Sequence, residues 1–337
     1  MKDKKFDVIT FGRSSIDLYS QDVGTTFNDI SGFDAFVGGS PLNIAVALAR
    51  LGSNATLLTA VGNDKVGEFI VNFLNKENVN THCIPVKNTA RSSAVVLGIE
   101  PPNKFPLVYY RDNAADSQVT IDDVQNSNVQ DYKILLINGT ALNIEPSRSS
   151  TFYATEVAVK NNVDVVLDLD FRADQWHDYR AFGLMVRAIL PKVKIAIGTE
   201  EEILAATLYD SSQVVIKDQQ ISAPEIKGDI DASIRQLFSS GIEILLVKRG
   251  EDGVSIYKKD GSRTDVPGFP VEVLNVLGAG DAFAGGFLYG YLQGWDLYKA
   301  CRMGNASGAQ VVTKKGCANF MPTLEESLVF IEKHGGY

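Results

Sequence analysis

Val165-Val-Leu-Asp-Leu-Asp170 is an apolar run that turns acidic only toward its end, and Ile134-Leu-Leu-Ile-Asn138 repeats the pattern upstream. A strand with one wet face alternates apolar and polar residues, whereas a strand covered on both faces reads as a nearly continuous apolar run. Both segments therefore read as central strands of a parallel sheet, with polar C-terminal ends that open into a crevice. Outward from them, strand-like segments (7–11, 55–61, 195–197, 244–248) alternate with helix-patterned ones (41–51, 66–77, 147–161, 201–206, 230–239, 281–293, 297–313). This alternation predicts an α/β fold: a mostly parallel central sheet flanked by helices on both faces, three layers in all.

Two regions break the alternation, at about 19–37 and 92–112. Each mixes polar and apolar residues in an extended pattern, and Pro101, Pro102 and Pro106 interrupt the second. They read as strands outside the main sheet, forming a small β-sheet lid inserted in the α/β unit, which spans 1–337 as one domain; the plainer reading is a pair of surface hairpins. The prolines would protect exposed lid edges from pairing.

Composition narrows the function. The chain has 337 residues, 45% of them hydrophobic and 22% charged, enough for a full core. A formal net charge of −9 without basic runs argues against a general nucleic-acid or anionic-membrane surface, so an anionic ligand has to be met by a local cluster. Cys83, Cys301 and Cys317 are odd in number and widely spaced, which predicts neither a disulfide framework nor a zinc site and fits a reducing compartment. The first apolar run, Phe6 to Phe11, is too short for a signal peptide, and no run approaches 18 apolar residues, so a cytoplasmic protein is expected.

The segment that carries chemistry is Asn275-Val-Leu-Gly-Ala-Gly-Asp-Ala-Phe-Ala-Gly-Gly-Phe287. Gly278, Ala279 and Gly280 let backbone N–H groups converge on an oxyanion at a helix N-terminus, which adds free donors and a positive dipole end. Asp281 follows in the first turn, placed to accept a proton from an attacking hydroxyl. A base beside an anion hole is the arrangement of phosphoryl transfer. Read alone, the string is equally a tight turn with a helix-capping aspartate. The small residues that follow, Ala282, Ala284, Gly285, Gly286 and Gly290, predict a helix packed unusually close to a neighbour, and a second glycine pair stands at Gly38-Gly39.

Together with Phe36-Val-Gly-Gly-Ser-Pro-Leu-Asn-Ile-Ala-Val-Ala-Leu-Ala-Arg-Leu-Gly52 and Val61-Gly-Asn-Asp-Lys-Val-Gly67, this segment resembles the ribokinase or PfkB family of carbohydrate kinases over nearly the whole chain. The resemblance implies a ribokinase-like fold, ATP as phosphoryl donor and Mg²⁺ as its companion. It implies Asp281 as catalytic base and the Gly278, Ala279 and Gly280 amides as anion hole. Asp17, in Gly12-Arg-Ser-Ser-Ile-Asp17, then holds sugar hydroxyls, with Gly38, Gly39 and Asn43 on the substrate side. For Asp17 the alternative is a strand-end cap. On the nucleotide side the resemblance covers Val247-Lys-Arg-Gly-Glu-Asp-Gly253, which brings in Lys248, Gly250 and Gly253, and it also brings in Asn305. Thr199-Glu-Glu-Glu202 stands where the family has Asn-x-x-Glu, so Glu202 is implied as a Mg²⁺ contact through water, compatible with a role in starting a helix. Asn275 stands where many members have aspartate, which argues against the usual monovalent-cation site. A homodimer through the lid is a family-level expectation.

The substrate is read from arginines. Arg111, in Tyr109-Tyr-Arg-Asp-Asn-Ala-Ala-Asp116, with Arg172 and Arg13, suits a carboxylate better than a neutral sugar, because a guanidinium binds it bidentately. The plainer fate of each is a structural ion pair. The same motifs resemble the branch of the family that phosphorylates a keto-deoxy sugar acid from inositol at its C6 hydroxyl. A 2-dehydro-3-deoxygluconate kinase, a fructokinase and a sugar-binding regulator that has lost its chemistry remain as alternatives.

Overall fold

A computed structural model describes residues 4–100, 105–215 and 224–337. The strands are β1 (Phe6–Phe11), β2 (Ser15–Val23), β3 (Phe33–Gly38), β4 (Ala55–Leu58), β5 (Ser93–Ile99), β6 (Leu107–Tyr110), β7 (Tyr132–Asn138), β8 (Asp164–Asp168), β9 (Ile195–Thr199), β10 (Ile244–Lys248), β11 (Val254–Lys258) and β12 (Arg263–Val266), besides four two-residue strands. The helices are α1 (Ser40–Arg50), α2 (Lys65–Lys76), α3 (Ile121–Ser127), α4 (Ser147–Lys160), α5 (Tyr179–Ile189), α6 (Glu200–Ala206), α7 (Ile230–Ser239), α8 (Ala279–Leu292), α9 (Leu297–Val312) and α10 (Leu324–Lys333).

The main sheet has eight strands in the order β12-β11-β10-β9-β8-β7-β1-β4. From β4 to β10 all pairings are parallel; β11 and β12 add an antiparallel edge. The apolar run of β7 divides between two cores. Ile134 and Leu136 face one side with α1, α8 and α9, while Leu135 and Ile137 face the other with α4 and α5. This double burial is the reason β7 and β8 carry no alternating pattern.

The expected lid segments form a separate four-stranded sheet in the order β3-β2-β5-β6. Its first strand starts at Ser15, earlier than position 19, and β2 pairs parallel with β5. Its own core comprises Tyr19, Val95, Leu97, Ile99, Phe105 and Leu107, and Leu277 of the main body packs onto it. Phe36 against Phe320 and the 2.7 Å Lys315–Asp34 ion pair tie it to the body again. Pro101 and Pro102 lie outside the described residues. The expected strand over 55–61 is two pieces, Ala55–Leu58 and Val61–Gly62.

The small residues of α8 have a geometric cause. A Cβ on Gly285 would stand 2.5 Å from the Ala47 Cβ of α1, and one on Gly286 would stand 2.7 Å from the Ser307 hydroxyl of α9. The two neighbours thus approach α8 at backbone distance on two faces, which fixes where its N-terminus lies. Gly286→Leu should cost about 1–3 kcal/mol by overpacking. Urea unfolding checks this, and an unchanged midpoint would contradict the packing account.

Candidate active site

The C-terminal ends of the parallel strands carry a buried row of charges. Lys248 ends β10, Glu202 follows β9, Asp168 and Asp170 end β8, Asn138 ends β7, and Arg13 and Asp17 follow β1. The N-terminus of α8 faces this row and contributes Asp281.

Gly278 caps α8 in the left-handed region, φ 86°, and a Cβ there would meet the Cys317 sulfur at 2.2 Å, so the turn and the approach both require glycine. The N–H of Ala279 is donated to the Val276 carbonyl at 3.3 Å. Within the expected trio of donors the Ala279 amide is thus engaged by the turn before the helix, whereas first-turn amides in general lack an intrahelical acceptor. Asp281 accepts the Asn43 amide at 2.7 Å on Oδ2, and the Cys317 thiol lies 3.7 Å from the same oxygen. Burial, then the nearby Asp170, raise its pKa above the ordinary carboxylate value.

Asp17 stands in β2, near enough to Asp281 for the two carboxylates to act on each other. It accepts the Ser15 hydroxyl at 2.6 Å, and Ser15 in turn accepts from Arg13 at 3.1 Å. Burial raises the Asp17 pKa, and Arg13 works against that shift. Gly38 lies against the Asp17 carboxylate, and Gly39 takes φ 109° where a Cβ would stand 2.3 Å from the Arg13 carbonyl. The glycine pair thus lets the start of α1 close over the β1–β2 loop.

The arginines separate into two kinds. The Arg13 guanidinium lies over the Tyr109 ring, 5.1 Å from its centre, and Arg172 pairs with Asp170 at 2.5 Å. Tyr109 feels both cations, and Asp170 and Asp281 both act on Arg172, so these groups share one electrostatic neighbourhood. Arg111 is held by Asp116 at 2.7 Å, the Gln175 side chain at 2.7 Å and the Thr140 carbonyl at 3.2 Å, the ion pair of the plainer reading, while its Nη2 is buried without a hydrogen-bond partner. The Asp116 side chain is fully buried and that of Arg111 is 7% exposed, so the pair ties the end of β6 to the main body.

On the other side of α8, a cavity of about 540 Å³ is lined by Lys248, Gly250, Gly253, Phe269, Gly280 and Asn305, among mainly apolar and glycine walls. A flat apolar slot that ends at a lysine and a helix N-terminus fits a nucleoside triphosphate, with the base in the slot and the phosphates at the charged end. Asn305 donates to the Val266 and Pro267 carbonyls, so its amide orders the cavity wall. Lys248 stands 3.5 Å from both Asp168 and Glu202, and its nitrogen is 3.0 Å from where a Gly280 Cβ would be. Burial opposes its charge, but Glu202 and Asp168 more than offset this and raise its pKa.

Glu202 closes a capping box with Thr199, accepting the Thr199 amide at 2.8 Å, so its helix-starting role is realised. Among the described residues no group of three or more Asp, Glu, His or Cys side chains is arranged to hold a metal ion. A buried Asp170 oxygen without a hydrogen-bond partner does face this region, which suits a cation held through its waters. Sequence reasoning missed the roles of Asp168 and Ser40. The Ser40 hydroxyl donates to Asp168 at 3.0 Å, joining the start of α1 to the end of β8. The acidic ends of β8 were the available signal.

Comparison with known proteins fits this geometry. The model of the pfkB family of carbohydrate kinases matches residues 5–324. The chain belongs to that family. A 5-dehydro-2-deoxygluconokinase of Clostridium perfringens is 33% identical over 331 residues, covering 98% of this chain and 94% of the relative. A fructokinase of Xylella fastidiosa solved with bound ATP superimposes with a TM-score of 0.81 at 26% identity, covering 97% of this chain and 98% of the other. A provisionally assigned ribokinase II of E. coli, solved with ATP and Mg²⁺, shares the fold with a TM-score of 0.83 at 21% identity, covering 98% and 100%. The protein is thus a carbohydrate kinase with a ribokinase-like fold.

Arg111→Ala would leave Asp116 buried without its cation and should cost about 3–5 kcal/mol of stability. Denaturant titration checks this; a variant as stable as the parent, with only KM for an acidic substrate raised, would return Arg111 to the role of a free binding cation.

Proposed function

We propose that this kinase transfers the γ-phosphoryl group of ATP to the C6 hydroxyl of 5-dehydro-2-deoxy-D-gluconate, a step of inositol catabolism in the cytoplasm. The observation that carries the proposal is the grouping of Asp281 with Arg13 and Arg172 around Tyr109, one buried and one half-buried guanidinium group suited to a substrate carboxylate. The names of the relatives at about one-third identity support the same substrate.

In this reading Asp17 and Asn43 hold sugar hydroxyls, and the glycine pair admits the substrate to the backbone. Asp281 takes the hydroxyl proton as the oxygen attacks phosphorus. The Gly278 and Gly280 amides, with Lys248, stabilise charge on the transferring group. Bound Mg²⁺ would supply charge neutralisation on the phosphates; Asp168, Asp170 and Glu202 are the carboxylates that would hold its waters. The smaller sheet acts as a lid that excludes water from the acceptor side, where ATP hydrolysis competes. Its exposed Val23, Phe33, Val108 and Tyr110 support a homodimer through that sheet.

The assay is coupled ADP release with Mg-ATP and matched concentrations of 5-dehydro-2-deoxygluconate, 2-dehydro-3-deoxygluconate or fructose. The first should give much the highest kcat/KM. A preference for fructose would make the arginines structural, and no turnover with any acceptor would favour a sugar-binding regulator.

Asp281→Asn should lower kcat roughly 10²–10⁴-fold with KM little changed, as for loss of a general base. The raised pKa of Asp281 sets the sign of the pH dependence: the base must be ionised, so kcat should fall as pH drops through a value above the ordinary carboxylate pKa of about 4. A rate flat down to that ordinary value would contradict the burial argument.

A further inference from the structure

The two oxygens of Asp281 are unequally placed. Oδ2 accepts the Asn43 amide at 2.7 Å and has the Cys317 sulfur at 3.7 Å, within the range of a thiol donor. Both holders are buried, Asn43 at 6% exposure and Cys317 at 3%. Neither distance involves Oδ1; the Ser40 hydroxyl also acts on the carboxylate but gives its 3.0 Å hydrogen bond to Asp168. The Asn43 carbonyl oxygen is buried and has no hydrogen-bond partner, so an unfilled acceptor stands beside the base where a hydroxyl donor would bind. Cys317 also touches the anion hole, because the space a Gly278 Cβ would fill is occupied by its sulfur.

We infer that Cys317 is a positioning residue for phosphoryl transfer, clamping Oδ2 of Asp281 together with Asn43 so that Oδ1 is the oxygen that takes the proton. The inference rests on the reading of Asp281 as base. In the step itself, the acceptor O–H bond breaks and its proton goes to Oδ1. The oxygen forms a bond to the γ-phosphorus, the bond from that phosphorus to the bridging oxygen breaks, and the electron pair leaves with the nucleoside diphosphate. The thiol keeps its proton throughout. Its S–H lies within reach of the same carboxylate oxygen as the Asn43 amide; a half-turn of the carboxylate only exchanges two equivalent oxygens, but a tilt that leaves Asn43 also leaves the thiol, so the two donors fix the plane of the base better than either alone.

The linkage also joins the base to the anion hole. Gly278 and Cys317 are neighbours through space, and Cys317 ends the loop that Lys315 ties to Asp34 of the smaller sheet. A shift of that loop would move the thiol relative to Asp281 and the floor of the hole together.

The test uses the full-length enzyme with Mg-ATP and whichever acceptor gives turnover. Cys317→Ala should lower kcat about tenfold, the loss of one weak hydrogen bond to a charged group, with KM for both substrates within about twofold. Cys317→Ser, whose hydroxyl donates to the same oxygen but leaves the space against Gly278 underfilled, should recover most of that loss. The split separates the clamp from packing: a packing role predicts that serine is as impaired as alanine, and that KM for the nucleotide rises in both. Melting temperatures of all three proteins identify any variant lost to misfolding, in which case the serine variant alone, at parental or reduced kcat, decides. Asp281→Asn run alongside distinguishes the two failures. If it is inactive while both Cys317 variants match the parent, the clamp is wrong and the base stands; if it retains near-parental kcat, the base assignment falls and the clamp with it.

Discussion

The close approach of α8 to α1 and α9 is the constraint on which the site depends. Glycines at 285 and 286 leave no room for a side chain on either face, so the helix cannot slide or rotate without collision. Its N-terminus is therefore fixed over the C-terminal edge of the parallel sheet, where a helix dipole and unpartnered amides are of use. The same rigidity makes Asp281 a side chain in the first turn of an immobile helix rather than a loop residue, which is what a base held near an attack geometry requires.

Around that fixed point the protein gathers five carboxylates and three cations, buried or half-buried. Taken singly, each would be costly to remove from water. The arrangement is tolerable because charges alternate: Lys248 between Asp168 and Glu202, Arg172 on Asp170, Arg13 reaching Asp17 through Ser15. The burial that makes these charges costly also shifts Asp281 toward the range in which a carboxylate is a better base.

Much of this was legible in the sequence, and for physical reasons. Strands buried on both faces have to be apolar throughout, so β7 and β8 announce themselves, and glycines demanded by contact at 38, 39, 278 and 285 stand out against helix propensity. The antiparallel edge was not legible: β12, Arg263–Val266, buries only Val266 and so carries no pattern. Helix α5 was missed because Gly183 interrupts it, yet that glycine is required by the Ala205 carbonyl, 2.8 Å from where its Cβ would be. Within the site, local motifs single out residues one by one, while pairings made across the fold leave no mark in the sequence. Ser40 and Asp168 are 128 positions apart, and Cys317 meets Asp281 from a different loop. For Arg111 the partner Asp116 is only five residues away, but an ion pair that close in sequence reads as a surface pair until burial is known.

The central claim is that the acceptor is a sugar acid whose terminal hydroxyl is delivered to Asp281. A crystal structure of the enzyme with 5-dehydro-2-deoxygluconate, Mg²⁺ and a non-hydrolysable ATP analogue tests it directly. The account predicts the C6 hydroxyl about 3 Å from Oδ1 of Asp281 and in line with the γ-phosphorus, with the carboxylate between Arg13 and Arg172. A complex in which the carboxylate turns to solvent, or in which another hydroxyl meets Asp281, would contradict it.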